Sequence, residues 1–169
     1  MIIHTMKSNL PGARAEDFWS FMCNAPQEIY RNWLPEEHHE FYLIKEGNNT
    51  PVGNYFYFDQ NIGQKHRMKF HATMIIAERP RKVVFQMKKF GITLPGFLEL
   101  QFEDTPDGLA LTEQIRIGFR GVGRICDPFI RIIYSKRFFV EMDAHHVREW
   151  QSLAECLRNK NFEHVEGGN

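Results

Sequence analysis

The chain has 169 residues, of which 43% are apolar and 15 are phenylalanine, enough for one domain with its own core and an aromatic-rich cavity. Its 21 basic and 21 acidic side chains balance, which argues against nucleic acid as the main partner. No run approaches about 20 apolar residues and no signal-peptide pattern opens the chain, so no membrane interaction is expected.

The first elements are short. Weak alternation over residues 2–9 predicts a strand, and apolar residues at helical spacing predict helices over 13–23 and about 26–33. The pattern then changes to a period of two. Six successive strands bounded by turn residues are predicted, at 40–45, 52–60, 66–77, 82–89, 97–103 and 109–119. Their short connections imply antiparallel neighbours.

The last predicted element is one long helix over 124–160. Asp127 followed by Pro128 is a helix-start signal, and no later Gly or Pro interrupts the segment. Its apolar arc holds Phe138, Phe139, Met142, Trp150, Leu153, Cys156 and Leu157. His146 and Glu149 fall inside this arc and His145 falls at its edge. A carboxylate in such a position needs a partner, because burial of an unpaired charge is costly.

The order of elements, β-α-α-β6-α, resembles the helix-grip fold of the Bet v 1 and START-like (SRPBCC) superfamily. That resemblance implies an α+β domain in which a curved, seven-stranded antiparallel sheet wraps the C-terminal helix and leaves a cavity between them. Two short helices follow the first strand. A single domain is expected over residues 1–160, and residues 161–169 are expected to form a disordered tail.

Histidine and carboxylate positions in separate elements point to a metal ion. His145 and Glu149 are four residues apart, so both can reach one ion from a single helix face, or else bond to each other at a solvated edge. His38 and His39 stand where the first long strand begins, and only one of them can point inward. A mixed set of this kind suits Zn²⁺ or another divalent transition ion.

Two further carboxylates could complete such a set. Asp59 ends the run Tyr55 to Asp59, although it faces away from the cavity if Phe56 and Phe58 face inward. Glu113 lies on the apolar face of its strand. It could serve there as a metal ligand or as an acid/base group, or it could be a buried acid paired with an arginine or a tyrosine hydroxyl. The sequence leaves open which of the two completes the site.

Several short motifs resemble the diacetylphloroglucinol hydrolases and their relatives the phloretin hydrolases. They are Tyr30-x-x-Trp33-x-Pro35-Glu36-x-His38, Val52-Gly53, Ile62-Gly63, and His145-x-x-x-Glu149 followed by Leu153. The resemblance implies one zinc ion held by two His and two acidic residues, and cleavage of the carbon–carbon bond between a phenolic ring and an acyl group. It implies His38, Asp59, His145 and Glu149 as ligands, with Asp59 in the place of a family Glu.

The same resemblance implies a function, that of a metal-dependent hydrolase of a small phenolic ketone. The metal would activate a water molecule, and a cavity acid would protonate the ring carbon. Tyr30, His39, His66 and Glu113 are candidates for that acid, with Tyr30 and Glu113 preferred. The residues expected to contact the substrate are Tyr30, Tyr55, Tyr57, Phe138 and Met142.

Two other functions fit the same sequence. The domain could be a metal-free carrier of a small aromatic or otherwise hydrophobic molecule, or a polyketide cyclase-like protein. It could also be an interaction module with a filled interior and an exposed apolar patch. Cys23, Cys126 and Cys156 are widely spaced and odd in number, which favours a reduced, cytoplasmic protein without disulfides. A homodimer is left open.

Overall fold

The computed structural model describes residues 1–24, 27–62, 66–89, 91–119, 121–126, 128, 130 and 134–158. The predicted tail at 161–169 and the predicted helix cap at Asp127 lie outside these residues. Within the described residues, no helix is both long and apolar enough to cross a membrane.

Seven strands form one antiparallel sheet. They are β1 (Ile2–Pro11), β2 (His38–Lys45), β3 (Tyr55–Ile62), β4 (His66–Glu78), β5 (Lys82–Lys89), β6 (Ile92–Thr105) and β7 (Gly108–Ile117). The spatial order is β1-β7-β6-β5-β4-β3-β2. Strands β2 to β7 each lie beside the strand that precedes or follows them in the chain, and the first strand, β1, lies beside the last, β7.

Among the described residues, the continuous α-helices are α1 (Ala15–Asn24), α2 (Gln27–Trp33) and the C-terminal α3 (Lys136–Arg158), with a 3-10 helix at Gly121–Cys126. Residues 128 and 130 are also helical. Helix α3 begins later than the sequence predicts. Tyr134 and Ser135 interrupt the helical conformation, and the Ser135 hydroxyl accepts a hydrogen bond from the Phe138 amide at 3.3 Å. A serine in this position satisfies an amide that has no partner in the first helical turn. The prediction of one unbroken helix from 124 is wrong.

A β-bulge in β4 changes which residues face the core. Strict alternation predicts that Ile76 points inward with Met74, but the pairing shifts between them, so Ile76 lies opposite Val84. The extra residue, Ile75, has no partner of its own in β5, as a bulge requires. Ile75 and Ile76 therefore both lie towards the outer face of the sheet.

The main core lies between the sheet and helices α1, α2 and α3. Its fully buried side chains include Phe18, Phe41, Phe56, Phe85 and Leu100, together with Trp150 and Leu153 from α3. A smaller apolar cluster continues this core towards the start of α3 and contains Phe138 and Met142. The face of α3 that the sequence predicts to be apolar is thus the face that packs on the sheet.

Candidate metal centre and cavity

Three predicted ligands meet in the interior. His38 comes from the first residue of β2, and His145 and Glu149 come from successive turns of α3. One ligand atom from each side chain lies within 4.8 Å of the other two, and all three residues are buried. The Glu149 carboxylate lies 3.3 Å from His38 Nε2 and 3.5 Å from His145 Nε2. The two distances run to different carboxylate oxygens, Oε1 towards His38 and Oε2 towards His145, so the carboxylate lies between the two imidazoles.

The two imidazole nitrogens that face this cluster lack hydrogen-bond partners in the described part of the chain, although each lies near a Glu149 oxygen. Neither His38 Nε2 nor His145 Nε2 has a hydrogen-bond partner among the described residues, and both atoms are shielded from solvent. Buried polar atoms are seldom left unsatisfied, because each lost hydrogen bond costs on the order of 1–3 kcal/mol. Two imidazole nitrogens and a carboxylate directed at one point are donor types that a divalent transition ion accepts.

Burial also sets the protonation of these groups. It lowers the pKa of His38 to about 3, so this imidazole is neutral at pH 7 and keeps a lone pair for a ligand bond. Burial raises the pKa of Glu149 to about 7, although the neighbouring His145 opposes that rise. Without a cation, the interior favours the uncharged forms of both groups. A bound cation would compensate the ionised carboxylate.

Glu37 contacts His145, one of the candidate ligands, on the side of its ring that faces away from the cluster. Its carboxylate is hydrogen-bonded to Nδ1 of His145, which leaves Nε2 directed at the cluster. The other oxygen of Glu37 accepts a bond from Arg148 Nη2 at 2.5 Å. A carboxylate behind a ligating histidine is the usual arrangement in metal sites, since it fixes the ring and increases its basicity. The sequence did not single out Glu37; its place beside His38 was the available signal.

Aromatic contacts fix the position of His38 and its relation to α3. The ring of Tyr30 stacks on the His38 ring with 4.2 Å between centroids and 4° between planes. The indole of Trp33 lies edge-on to His38 and donates its N–H to the backbone carbonyl of Glu149. The Ser152 hydroxyl donates a hydrogen bond to the backbone carbonyl of Trp33. The end of α2 is thus joined to the turn of α3 that carries the ligands.

His145 and Glu149 of the cluster form part of the wall of an interior cavity of about 50 Å³. Most of the remaining wall is apolar or aromatic, and it includes Met22, Met68, Met87 and Met142. Its principal polar pair is the Tyr30 hydroxyl, which donates to Gln60 Oε1 at 2.7 Å. The cavity is smaller than an aromatic ketone. Methionine side chains are flexible, however, and can repack to admit a larger guest.

Glu113 lies on the inner face of β7, as predicted, but it is already engaged. Its Oε2 accepts bonds from His146 Nδ1 at 2.7 Å and from Trp150 Nε1 at 2.8 Å. His146 in turn shares a 2.9 Å bond between its Nε2 and the Ser8 hydroxyl on β1. Glu113 reaches the cavity wall but is not one of the three clustered ligand residues. Its evident task is to join α3 to β7 and, through His146, to β1.

The structure places Asp59 away from the cluster. Phe56 and Phe58 are buried in the core, so Asp59 lies on the opposite face of β3. There its two oxygens accept a bidentate pair of bonds from Arg67, both at 2.8 Å, and Lys69 Nζ is 3.1 Å away. The predicted role of Asp59 as fourth ligand is therefore corrected: it is half of an ion pair on the outer face.

Some of the residues predicted to contact the substrate line the cavity and others lie on the outer face of the sheet. Tyr55 and Tyr57 alternate with Phe56 and Phe58 and pack around His71 on the outer face, so they do not line the cavity. Tyr30 and Met142 do line it. Phe138 belongs to the adjoining apolar cluster.

Two histidines considered as acids also lie outside the cluster. His66 is 3.6 Å from Glu141 and is partly exposed, and His39 is not part of the three-residue group, which contains His38.

The architecture of the chain is the helix-grip fold of START-like and Bet v 1-like proteins. In that fold an antiparallel sheet wraps a long C-terminal helix, two short helices follow the first strand, and an interior cavity lies between sheet and helix. Solved structures share this fold. They include a START superfamily protein from Mycobacterium smegmatis (TM-score 0.60, 15% identity, 92% of this chain and 97% of that one). They also include an AHSA1-like protein from Aeromonas hydrophila (TM-score 0.54, 11% identity, 99% and 100%).

A third structure with this fold is the major latex-like protein 151 of Panax ginseng (TM-score 0.54, 12% identity, 86% of this chain and 99% of that one). No family model and no curated protein matches the chain. At these identities the comparisons establish the fold, and the function has to be argued from the site.

Proposed function

We propose that this domain binds a small aromatic or otherwise apolar molecule in the cavity between the sheet and α3, beside a divalent metal ion held by His38, His145 and Glu149. The observation that carries the proposal is the pair of orphaned Nε2 atoms directed at one carboxylate in a buried, mostly apolar chamber. The ligand set of two histidines and one glutamate favours zinc. Glu37 behind His145 adds the outer carboxylate of such sites.

Three protein ligands leave a coordination position open, which is typical of catalytic rather than structural zinc sites. We therefore extend the proposal to hydrolysis of a small aryl ketone, in which water supplies a hydroxyl to the acyl carbon and a proton to the ring carbon. Bound zinc would polarise the carbonyl and lower the pKa of a water molecule towards about 7.

Tyr30 is the proton donor that the cavity offers for this reaction. Burial, aided by the negative charges of Glu149 and Asp59, raises the pKa of Tyr30 well above its usual range, so its hydroxyl is protonated at pH 7. The shift makes it a weaker acid than an ordinary tyrosine, and its suitability as a donor rests on its position. Its ring is fixed against His38, which brings the hydroxyl to the cavity wall beside Gln60. A positioned, protonated group of this kind can act as a general acid.

A metal-free carrier is the second candidate function. It is favoured by the apolar walls and the adaptable methionines, which suit a guest held by burial alone. A carrier does not require a metal ion at His38 Nε2 and His145 Nε2. A measurement of metal binding therefore separates the two functions.

The first experiment measures the zinc content of protein purified without a chelator or a histidine tag. His145→Ala removes one ligand, and His71→Ala, on the outer face of β4, is the matched control. We expect about one zinc per chain in the parent and the control and none in His145→Ala. A parent that takes up no zinc even when the metal is supplied would contradict the metal centre and leave the carrier. If zinc binds, an acyl-phenol screen tests hydrolysis, and Tyr30→Phe tests the acid.

A further inference from the structure

A second recess lies on the outer face of the sheet, on the side away from α3. Across neighbouring strands, Phe97 of β6 pairs with Arg116 of β7, and Val84 of β5 pairs with Glu99 of β6. Their chain neighbours Phe85, Leu98 and Ile115 face the core or its margins. By alternation, Val84, Phe97 and Arg116 point outward. They contribute to a groove of about 430 Å³.

The bulge in β4 helps to build this groove. It brings Ile75 and Ile76 towards the outer side, where Val84 is only 1% exposed although it faces away from the core. Phe119, after the end of β7, contributes to the same groove and is 37% exposed. The result is an apolar recess with walls on two sides, on a sheet face where alternation predicts polar side chains.

Arg116, which lines the groove, belongs to a cluster of charges with Lys82 and Glu99. Glu99 uses both carboxylate oxygens: Lys82 Nζ is 2.9 Å from Oε1, Gln101 donates to Oε1 at 2.7 Å, and Arg116 Nη2 donates to Oε2 at 2.9 Å. Two cations thus face one carboxylate. The guanidinium of Arg116 lies 5.5 Å from the Phe97 ring centre, and its Nε is a shielded donor with no hydrogen-bond partner among the described residues.

The size of the groove matches that of a small-molecule site. Such sites usually enclose about 300–1,000 Å³, and the outer groove has about 430 Å³, whereas the interior cavity has about 50 Å³. We propose that the groove is a second ligand site, separate from the metal centre, for a small amphipathic carboxylate. The apolar body lies against Ile75, Val84 and Phe97, and the carboxylate pairs with Arg116. A guanidinium matches a carboxylate in charge and in planar geometry.

The test uses 2-naphthoate as the probe and the uncharged 2-naphthylmethanol as its matched analogue, with binding measured by calorimetry. Arg116→Gln removes the cation, and Ile75→Glu places a negative charge at an exposed wall position. Arg31→Gln and Ile44→Glu, which are exposed positions elsewhere, are the corresponding controls. Met142→Trp fills the interior cavity and leaves the outer groove unchanged. Circular dichroism and a thermal melt establish that each variant is folded.

We expect naphthoate to bind at least tenfold more tightly than the alcohol. We also expect at least tenfold weaker binding in both groove variants and no change in the two controls or in Met142→Trp. Equal binding of acid and alcohol, or unchanged binding in Ile75→Glu, would overturn the proposal. So would loss of binding in Met142→Trp alone, which would assign the probe to the interior cavity. Self-association of the parent that Ile75→Glu abolishes would assign the groove to contact between copies of the chain instead.

Discussion

The carboxylate of Glu37, in the turn before β2, is hydrogen-bonded to Nδ1 of His145, 108 positions later in the chain. Because this bond directs Nε2 of His145 at the cluster, Glu37→Ala should weaken zinc binding without removing a ligand. We expect a 10–100-fold loss of affinity, the range found when outer carboxylates are removed. Competition with a chromophoric chelator measures it.

Glu36→Ala is the control for that change, because Glu36 is the adjacent, exposed carboxylate. It should leave the affinity within about twofold of the parent, since a surface charge is largely screened by salt. Equal losses in the two variants would show that overall charge, and not the bond to His145, governs the affinity.

Glu149 should make the metal-free protein less stable as the pH rises. Its pKa is raised from 4.5 to about 7 in the folded chain, so between these values the folded state binds more protons than the unfolded state, and stability falls with pH. Glu149→Gln stays neutral. We expect it to exceed the parent in free energy of unfolding by about 1–3 kcal/mol at pH 8 and to match it near pH 4.

Urea denaturation in a chelator measures both values. At pH 8 His38 is neutral in both the folded and the unfolded chain, so its protonation does not contribute to the difference at that pH. Adding zinc should reverse the order at pH 8, because a carboxamide is a poor zinc ligand and only the parent gains binding energy. A Glu149→Gln protein that gains no stability at pH 8 would mean that neighbouring groups already compensate the ionised carboxylate.

Glu113 should matter for stability. Glu113→Ala leaves His146 Nδ1 and Trp150 Nε1 without their shared acceptor in the interior. Breaking a buried network of this kind usually costs about 3–5 kcal/mol, and we expect a loss of at least about 2 kcal/mol. Chemical denaturation measures it, with the exposed Glu103→Ala as control. A loss below about 1 kcal/mol would show that Glu113 does not hold α3 to the sheet.

Asp59→Asn tests whether the Asp59–Arg67 ion pair is independent of the metal centre. Zinc content should be unchanged, because Asp59 faces Arg67 on the outer side of β3. Hydrogen bonds from Arg67 hold the pKa of Asp59 below its usual 3.8. The pair therefore stabilises the fold above that value, and this contribution is lost as the pH falls through the folded-state pKa.

We expect Asp59→Asn to cost about 1–2 kcal/mol at pH 7 and less at pH 3, measured by denaturation at both pH values. Loss of zinc in this variant would restore Asp59 as a ligand.

Local patterns in the sequence were enough for much of the fold. The alternation over 109–119 predicts one inner face with Leu109, Leu111, Glu113, Ile115, Ile117 and Phe119. The structure confirms the first five, which are buried, but Phe119 lies beyond the end of β7 and contributes to the outer groove. The spacing of four between His145 and Glu149 put them on one helix face whatever they contact. These properties follow from the periods of strands and helices, which each segment carries by itself.

Other features depended on neighbours in space. The bulge at Ile75 arises from pairing with β5, and periodicity within β4 cannot reveal it. The predicted single helix is interrupted at Tyr134 and Ser135, although residues 128 and 130 are helical. The sequence has no Gly or Pro at this point that would have signalled the break.

Taken alone, the sequence determined the order of the elements and most of their bounds, the inner faces of the strands apart from Ile76 and Phe119, and His38, His145 and Glu149 as candidate ligands. Only the tertiary structure decided that these three meet, that Glu37 holds His145, that Asp59 pairs with Arg67, and that an outer groove forms beside Arg116. The reason is physical. Periodicity fixes the direction of a side chain relative to its own backbone, whereas its partner is set by strand register and helix docking between segments far apart in the chain.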